Sequence, residues 1–313
     1  MYFMSNFAFV FPGQGSQKIG MLAELADQNP IIEKTFSEAS EVLGYDMWQL
    51  IQQGAQEDIN LTQRTQPILL TCSVAIWRLW NQKQGAKPSQ MAGHSLGEWS
   101  ALVCANVIDF ADGLKMVEAR GKFMQQAVPV GQGAMAAIIG LDDKAILAAC
   151  TEASTLGVVD AVNFNAPGQV VIAGANDAVE RAMDICKAAG AKRALPLPVS
   201  APFHTSLMKP AADNLAEMVN TITFRAPEVP VMHNVHAKNE HDPQAIKALM
   251  LEQIYSPVKW VDCVEQLKDS GVSALVECGP GKVLSGLAKR IDRELIAIST
   301  ESVTDFDAAL TTI

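Results

Sequence analysis

The sequence predicts an α/β protein: a hydrolase-like, mostly parallel sheet with helices on both faces, plus an inserted ferredoxin-like small domain. Three observations predict it. In the first and last parts of the chain, short apolar runs alternate with stretches of helical period, as in a parallel sheet covered on both faces. The middle reads β-α-β-β-α-β, the order of the ferredoxin-like unit. Across 313 residues, 49% are apolar and 19% charged, which suits a folded body with a large core. The large domain is predicted to comprise 1–127 and 200–313, and the small one 128–199.

The elements follow in order. "NFAFVFPGQGSQ" is a buried strand over Phe7–Phe11 that stops at Pro12 and turns through Gly13 and Gly15. "NPIIEKTFSEASEVLG" is an amphipathic helix with Pro30 near its start and Gly44 as its stop. "QPILLTCSVAIWRLWNQKQG" is a more buried helix ended by Gly85, and "PSQMAGHS" a short strand and turn. "LGEWSALVCANV" and "DFADGLKMVEARGKFMQQA" are further helices.

In the middle, "GAMAAIIGL" is a strand and "DDKAILAACTEAS" a helix capped by Asp142. "VVDAVNFN" and "QVVIAG" are strands joined by a hairpin at Ala166-Pro167-Gly168. "NDAVERAMDICKAAG" is a capped helix, and "KRALPLPV" closes the unit as a strand. Alternation then resumes: helix "MKPAADNLAEMVNTI", strand "VPVMHNV", helices "DPQAIKALMLEQIY" and "VKWVDCVEQLKDSG", strand "SALVECGPG", helix "VLSGLAKRI" and a final strand "LIAIST".

Composition excludes several function classes. A formal charge of −10 lacks the basic footprint of a nucleic-acid binder and leaves room only for a local basic patch. The six cysteines form no C-x-x-C pair and sit in apolar runs, so they read as buried, reduced thiols of a cytoplasmic protein rather than zinc ligands. The start, "MYFMSNFAFVFPG", has no basic n-region or small-residue cleavage site, so no secretory signal is expected. No apolar run reaches the ~18 residues of a membrane span.

The chemistry centres on "MAGHSLGEW". Gly93-x-Ser95-x-Gly97 stands in strand–turn–helix context, as a nucleophile elbow requires. The glycines leave room for a cramped backbone, the hydroxyl projects at a strand end, and Leu96 opens the helix with a free N–H. An ordinary structural turn is the competing reading. Gln14, on the glycine-flanked turn of "FPGQGSQ", is a candidate second donor for an oxyanion hole; a plain βα turn fits that loop equally. Lys18 stands where a G-x-G-x-x-G fingerprint needs glycine, and no Gly-Lys-Ser/Thr of a phosphate loop occurs.

A serine needs a base. Of five histidines, His94 adjoins the serine, where neighbours point apart, and His233, His236 and His241 lie in "HNVHAKNEH" without a carboxylate cluster for a metal. His204, in "LPVSAPFHTSLMKP", follows a strand and precedes a helix, so its loop joins other strand ends; it is the chosen base, a plain packed histidine being the alternative. Arg120, in "VEARGKFMQQA", is either a snorkelling surface residue or a bidentate grip for a carboxylate.

Together, "FPGQGSQ", "GHSLGE", "EARGKFMQ", "NFNAPGQVVIAG", "VSAPFHTSLMKP" and "ECGPGKVLSGL" resemble the malonyl-CoA:acyl carrier protein transacylase family, relatives of the acyltransferase domains of fatty-acid and polyketide synthases. The resemblance runs through essentially the whole chain. It implies that Ser95 is acylated by malonyl-CoA, that His204 is its base, and that the backbone N–H groups of Gln14 and Leu96 form the oxyanion hole. It implies that Arg120 binds the free carboxylate and that the backbone carbonyl of Gln253 steers the histidine, with no required role for the Gln253 side chain. An acyl carrier protein is the implied partner. Malonyl-CoA enters as substrate, and no cofactor or metal is expected. Phe203 beside the base is expected to narrow the pocket. Lys192 with Arg193, and Lys289 with Arg290, either rim the cleft for an acidic carrier or are ordinary solvated charge. A serine thioesterase or esterase, or a non-catalytic carrier-docking module, are the rival functions.

Overall fold

The computed structural model describes residues 6–199 and 201–313. Residues 1–5, part of the stretch read as lacking a signal, and Ser200, where the second stretch of the large domain is predicted to begin, lie outside the described residues. The strands are β1 (Phe7–Phe11), β2 (Gln90–Gly93), β3 (Gly133–Ile139), β4 (Val159–Ala166), β5 (Gln169–Ala175), β6 (Arg193–Pro196), β7 (Val231–His233), β8 (Lys238–Asn239), β9 (Ala274–Glu277) and β10 (Ile296–Ser299).

They form two sheets. The larger has the order β10-β9-β1-β2-β7-β8, parallel from β10 through β7, with β8 turned back antiparallel at the edge. β1 is central and buried on both faces, which its unbroken apolar run requires. Its alternation divides two cores. Phe7, Phe9 and Phe11 face the long helix Thr62–Gln82, where Phe9 meets Trp80 edge-on with centroids 5.1 Å apart. Ala8 and Val10 face the helices Trp260–Asp269 and Val283–Ile291 through a second apolar cluster. Helices therefore cover both faces, as the sequence predicts.

The second sheet is antiparallel, in the order β4-β5-β3-β6, and the helices Asp143–Ala153 and Asn176–Ala188 pack on one face. This is the predicted β-α-β-β-α-β unit. Its other face carries Met135, Val162, Val171 and Ala173, with Leu197, Val199 and Phe203 packed against them. β4 is stitched to the larger body by Phe164 N–H donating to the Val258 carbonyl and Val258 N–H to that of Val162. A cleft between the two bodies follows from this docking.

Local departures have physical causes. The helix expected to open at Gln66 begins at Thr62, so Pro67 lies inside it. Proline removes one backbone bond there, and burial of Ile68–Ile76 on every side outweighs that loss. Asp142 caps its helix by accepting from Ala145 N–H as predicted, whereas the helix at Asn176 takes Ala175 at its cap position with no side-chain cap. The short helices Ala23–Gln28, Met47–Gln53 and Gln56–Ile59 escape a reading by periodicity because each spans too few turns to show one. The chain does not end on a strand: the helix Val303–Thr312 follows β10, capped by Ser302, with Phe306 against Trp80. The six cysteines are buried and unpaired, and among the described residues no helix is long and apolar enough to cross a membrane.

Candidate active site

β2 runs out at Gly93, and the helix Leu96–Cys104 begins three residues later. The turn between them is tight because both glycines are nearly touched by backbone. A Cβ on Gly93 would stand 1.9 Å from the Gly97 carbonyl carbon, and one on Gly97 would stand 1.9 Å from the Phe11 carbonyl oxygen. Ser95 is thereby held at φ 53°, ψ −106°, a left-handed conformation that an L residue adopts at a cost of about 1–3 kcal/mol. Asn234, just past β7, offsets that strain. Its Oδ1 accepts from Ser95 N–H at 2.8 Å, and its Nδ2 donates to the Gly93 carbonyl at 2.7 Å. The strained bend aims the hydroxyl into the cleft.

His204 reaches that hydroxyl from the loop after β6. Its Nε2 lies 2.8 Å from Ser95 Oγ and its Nδ1 2.9 Å from the Gln253 carbonyl oxygen. A carbonyl only accepts, so Nδ1 carries the proton, and in the neutral ring Nε2 is left to accept from the serine. The ring is buried, and burial holds its pKa down at about 3, with the Arg120 charge as the second cause. His204 is therefore neutral at physiological pH, the form a base requires.

Arg120 projects from the helix Phe110–Gln126 and is only 2% exposed, so it is no snorkelling surface residue. Its Nη1 donates to Gln66 Oε1 at 2.8 Å, and its Nη2 donates to Gln253 Oε1 at 3.0 Å and to Ser95 Oγ at 3.2 Å. Burial lowers its pKa to about 10, and the Glu98 carboxylate pushes the other way. The guanidinium thus remains charged at neutral pH and points at the nucleophile.

Leu96 and Gln14 both line the same cleft as Ser95. Among the described residues neither backbone N–H has an acceptor, and Leu96 is the first residue of its helix, where N–H groups are left free. The cavity measures about 120 Å³, with Met124, Met135, Leu197, Val199 and Phe203 as its apolar wall. Phe203 thus lies beside the base, as expected.

Ser95, His204, Arg120, Gln14, Leu96 and Gln253 all meet here, although Ser95 and His204 are 109 positions apart in the chain. One expectation is corrected. The Gln253 side chain is a structural hub as well as its carbonyl: Nε2 donates to the Ser95 carbonyl and to Glu98 Oε2, both at 2.8 Å. Side chains that sequence reasoning passed over are Gln66, Glu98 and Asn234, and His233, set aside there as base and metal ligand, joins the same network. Glu98 carried a usable signal, since it is a lone charge within the apolar "LGEWSALVCANV" and is fully buried; its Oε1 bonds His233 Nδ1 at 2.7 Å and its Oε2 accepts from Asn234 N–H at 3.1 Å. His94 turns away from the hydroxyl, to Asn165 Oδ1 at 2.7 Å.

The basic pairs are exposed. Register places Arg193 beside Ile139 and Ile139 beside Gln169, and Arg290 reaches across to Gln169 Oε1. Lys192, Arg193 and Arg290 therefore share one corner where the small sheet meets the larger body.

Residues 8–302 match the acyl transferase domain family. The chain is 60% identical over 308 residues to the malonyl CoA-acyl carrier protein transacylase of Salmonella typhimurium, covering 98% of this chain and 100% of that protein. Against the protein of the same name in Haemophilus influenzae the identity is 58% over 306 residues, covering 97% and 98%. Among solved structures, an acyl carrier protein S-malonyltransferase from Vibrio cholerae is similar at TM-score 0.95 and 60% identity, covering 97% of this chain and 99% of that one. A malonyl-transacylase in complex with its type II PKS acyl-carrier protein is similar at TM-score 0.98 and 56% identity, covering 99% and 100%.

Proposed function

This chain belongs to the malonyl CoA-acyl carrier protein transacylase family, and on that premise we propose how its residues move a malonyl group from malonyl-CoA to an acyl carrier protein. The observation that carries the reading is a single hydroxyl, Ser95 Oγ, set 2.8 Å from a neutral imidazole and 3.2 Å from a buried guanidinium.

His204 Nε2 takes the Ser95 proton as Oγ attacks the malonyl thioester carbon. The N–H groups of Leu96 and Gln14 hold the oxyanion, a donor of this kind being worth about 10²–10³ in rate. The tetrahedral adduct collapses, the C–S bond breaks, and the imidazolium returns its proton to the departing coenzyme A thiolate. Malonyl-Ser95 remains. The phosphopantetheine thiol of the carrier then gives its proton to His204 and attacks the ester. The second collapse frees malonyl-carrier and returns the proton to Ser95 Oγ. This is a ping-pong scheme.

Arg120 receives the free malonyl carboxylate through its fork, which selects diacid over acetyl thioesters and orients the acyl group away from water. Nucleophile, base and oxyanion donors all come from the chain, so the chemistry calls on no metal or cofactor. The acidic carrier meets the basic corner of Lys192, Arg193 and Arg290, and the product serves fatty-acid synthesis. Unpaired buried thiols suit a reducing compartment, and we place the enzyme in the cytoplasm.

Intact-mass analysis after mixing with malonyl-CoA tests the reading. A malonyl adduct is expected on the native enzyme, stable until a carrier thiol discharges it, and absent from Ser95→Ala. Rapid release of free malonate without carrier would show a hydrolase, and an undiminished adduct on Ser95→Ala would refute the nucleophile assignment.

A further inference from the structure

A buried cation ordinarily needs a carboxylate against it, because desolvation is otherwise uncompensated. Arg120 departs from that pattern. Among the described residues no carboxylate lies within ion-pair distance of its guanidinium; its partners are the amide oxygens of Gln66 and Gln253 and the Ser95 hydroxyl. Its Nε has no partner among the described residues. A carboxylate is nonetheless close behind. The Gln253 amide spans the gap, accepting from Arg120 Nη2 with its oxygen and donating from Nε2 to the fully buried Glu98.

We propose that Glu98 is the counter-ion of Arg120, held one amide away: it keeps the guanidinium charged in a dry site while its donors are held only by neutral acceptors, which the carboxylate of the substrate outcompetes. The inference rests on Arg120 receiving that carboxylate. A direct Glu98–Arg120 pair would force the malonyl group to displace a charged intramolecular rival instead of a neutral amide or hydroxyl. An isolated Arg120 would be less firmly charged. The interposed amide avoids both. Glu98 acts through Gln253 and Arg120 and touches no reacting atom, so its role is positioning and electrostatic.

The other titratable groups that face the pair are histidines, which carry no negative charge, and Cys263, whose thiol burial holds well above its usual range. His204 and His94 face the pair from the catalytic loop and from the bend, and burial lowers the basicity of both. His233, at the end of β7, bonds Glu98 from the far side, and His236 lies beyond it. Glu98 is the group whose field raises the Arg120 pKa against the lowering by burial.

The test is Glu98→Gln, which removes the charge and keeps the frame. Its amide oxygen accepts from Asn234 N–H and Gln253 Nε2. Its amide nitrogen donates to His233 Nδ1 once that ring changes tautomer, and among the described residues His233 Nε2 has no partner to lose. Malonyl-CoA and acetyl-CoA loading of Ser95 are measured by rapid quench and intact mass, from neutral to strongly alkaline pH. In Glu98→Gln, malonyl loading is expected to fail at a pH lower by about one unit or more, a loss of roughly tenfold at a fixed alkaline pH. Acetyl loading, which brings no carboxylate to the guanidinium, shows no such loss. Coincident native and variant profiles, or equal losses for both substrates, overturn the proposal. Arg120→Ala separates the two levels. If it loses the malonyl preference while Glu98→Gln is silent, the counter-ion assignment fails and the carboxylate reading stands. If it keeps that preference, both fail. Should Glu98→Gln not fold, Gln253→Met breaks the amide link while keeping the carbonyl on His204; because it also removes the bond to the Ser95 carbonyl, its malonyl profile is compared with its own acetyl profile, and an alkaline shift of the malonyl profile alone is required of it.

Discussion

Replacing Arg120 by alanine separates binding from packing more sharply than any other change in this cleft. The guanidinium is 2% exposed and donates to Gln66, Gln253 and Ser95. Its removal leaves a substrate carboxylate in a largely apolar wall without a cation, a loss of about 2–5 kcal/mol for a buried hydrogen-bonded charge partner. That corresponds to a fall of roughly 30- to 4,000-fold in kcat/KM for malonyl-CoA. Acetyl-CoA carries no such group, so its loading is expected to hold or rise. A rise has a cause in the structure, because the Arg120 charge is the second reason, after burial, that His204 sits at about 3; without it the base strengthens. The amide oxygens of Gln66 and Gln253 lose a partner each, costing up to about 1–3 kcal/mol apiece where water does not replace it. Denaturant unfolding therefore accompanies the kinetics, so that a stability loss is not mistaken for a loss of recognition. Rapid-quench loading with the two thioesters is the assay. Parallel losses for malonyl and acetyl would show that Arg120 is only a packing residue and would refute the argument.

Two further outcomes are expected. The base works unprotonated, so activity is present above the His204 pKa and lost as pH falls through it; with that pKa at about 3, kcat/KM for malonyl loading has its acid limb far below the ordinary histidine range. An inflection near the unperturbed value of about 6.5, measured in a pH series on the free enzyme, contradicts this. Asn234→Ala orphans the Ser95 N–H and the Gly93 carbonyl, which costs about 1–3 kcal/mol for each buried group and lets the strained bend relax. A lowered denaturation midpoint and slower adduct formation are expected, and unaltered loading would show that Asn234 does not hold the nucleophile.

Much of the architecture is written locally. Phe7–Phe11 reads as a central strand because five apolar residues in a row bury both faces, and those are the bounds of β1. The G-x-S-x-G bend is equally local, since steric room at Gly93 and Gly97 is a property of adjacent residues and the strand and helix they join. The Asp142 cap and the Pro167-Gly168 hairpin belong to the same class. By contrast, the pairing of Ser95 with Asn234 spans 139 positions, and nothing near "HNVHAKNEH" announces it.

Side-chain chemistry named the reagents and chain order could not name their partners. A serine on a cramped turn, a histidine after a strand and an arginine on an apolar helix face were recognisable from residue type and near neighbours. That Gln66, Glu98 and Gln253 bracket the guanidinium follows from the order β10-β9-β1-β2-β7-β8, which brings the ends of β2 and β7 side by side, and from the helices packed around them. Periodicity and turn preference act over a few residues. A buried polar network is satisfied across the fold, by whichever donors and acceptors packing delivers to the same dry volume.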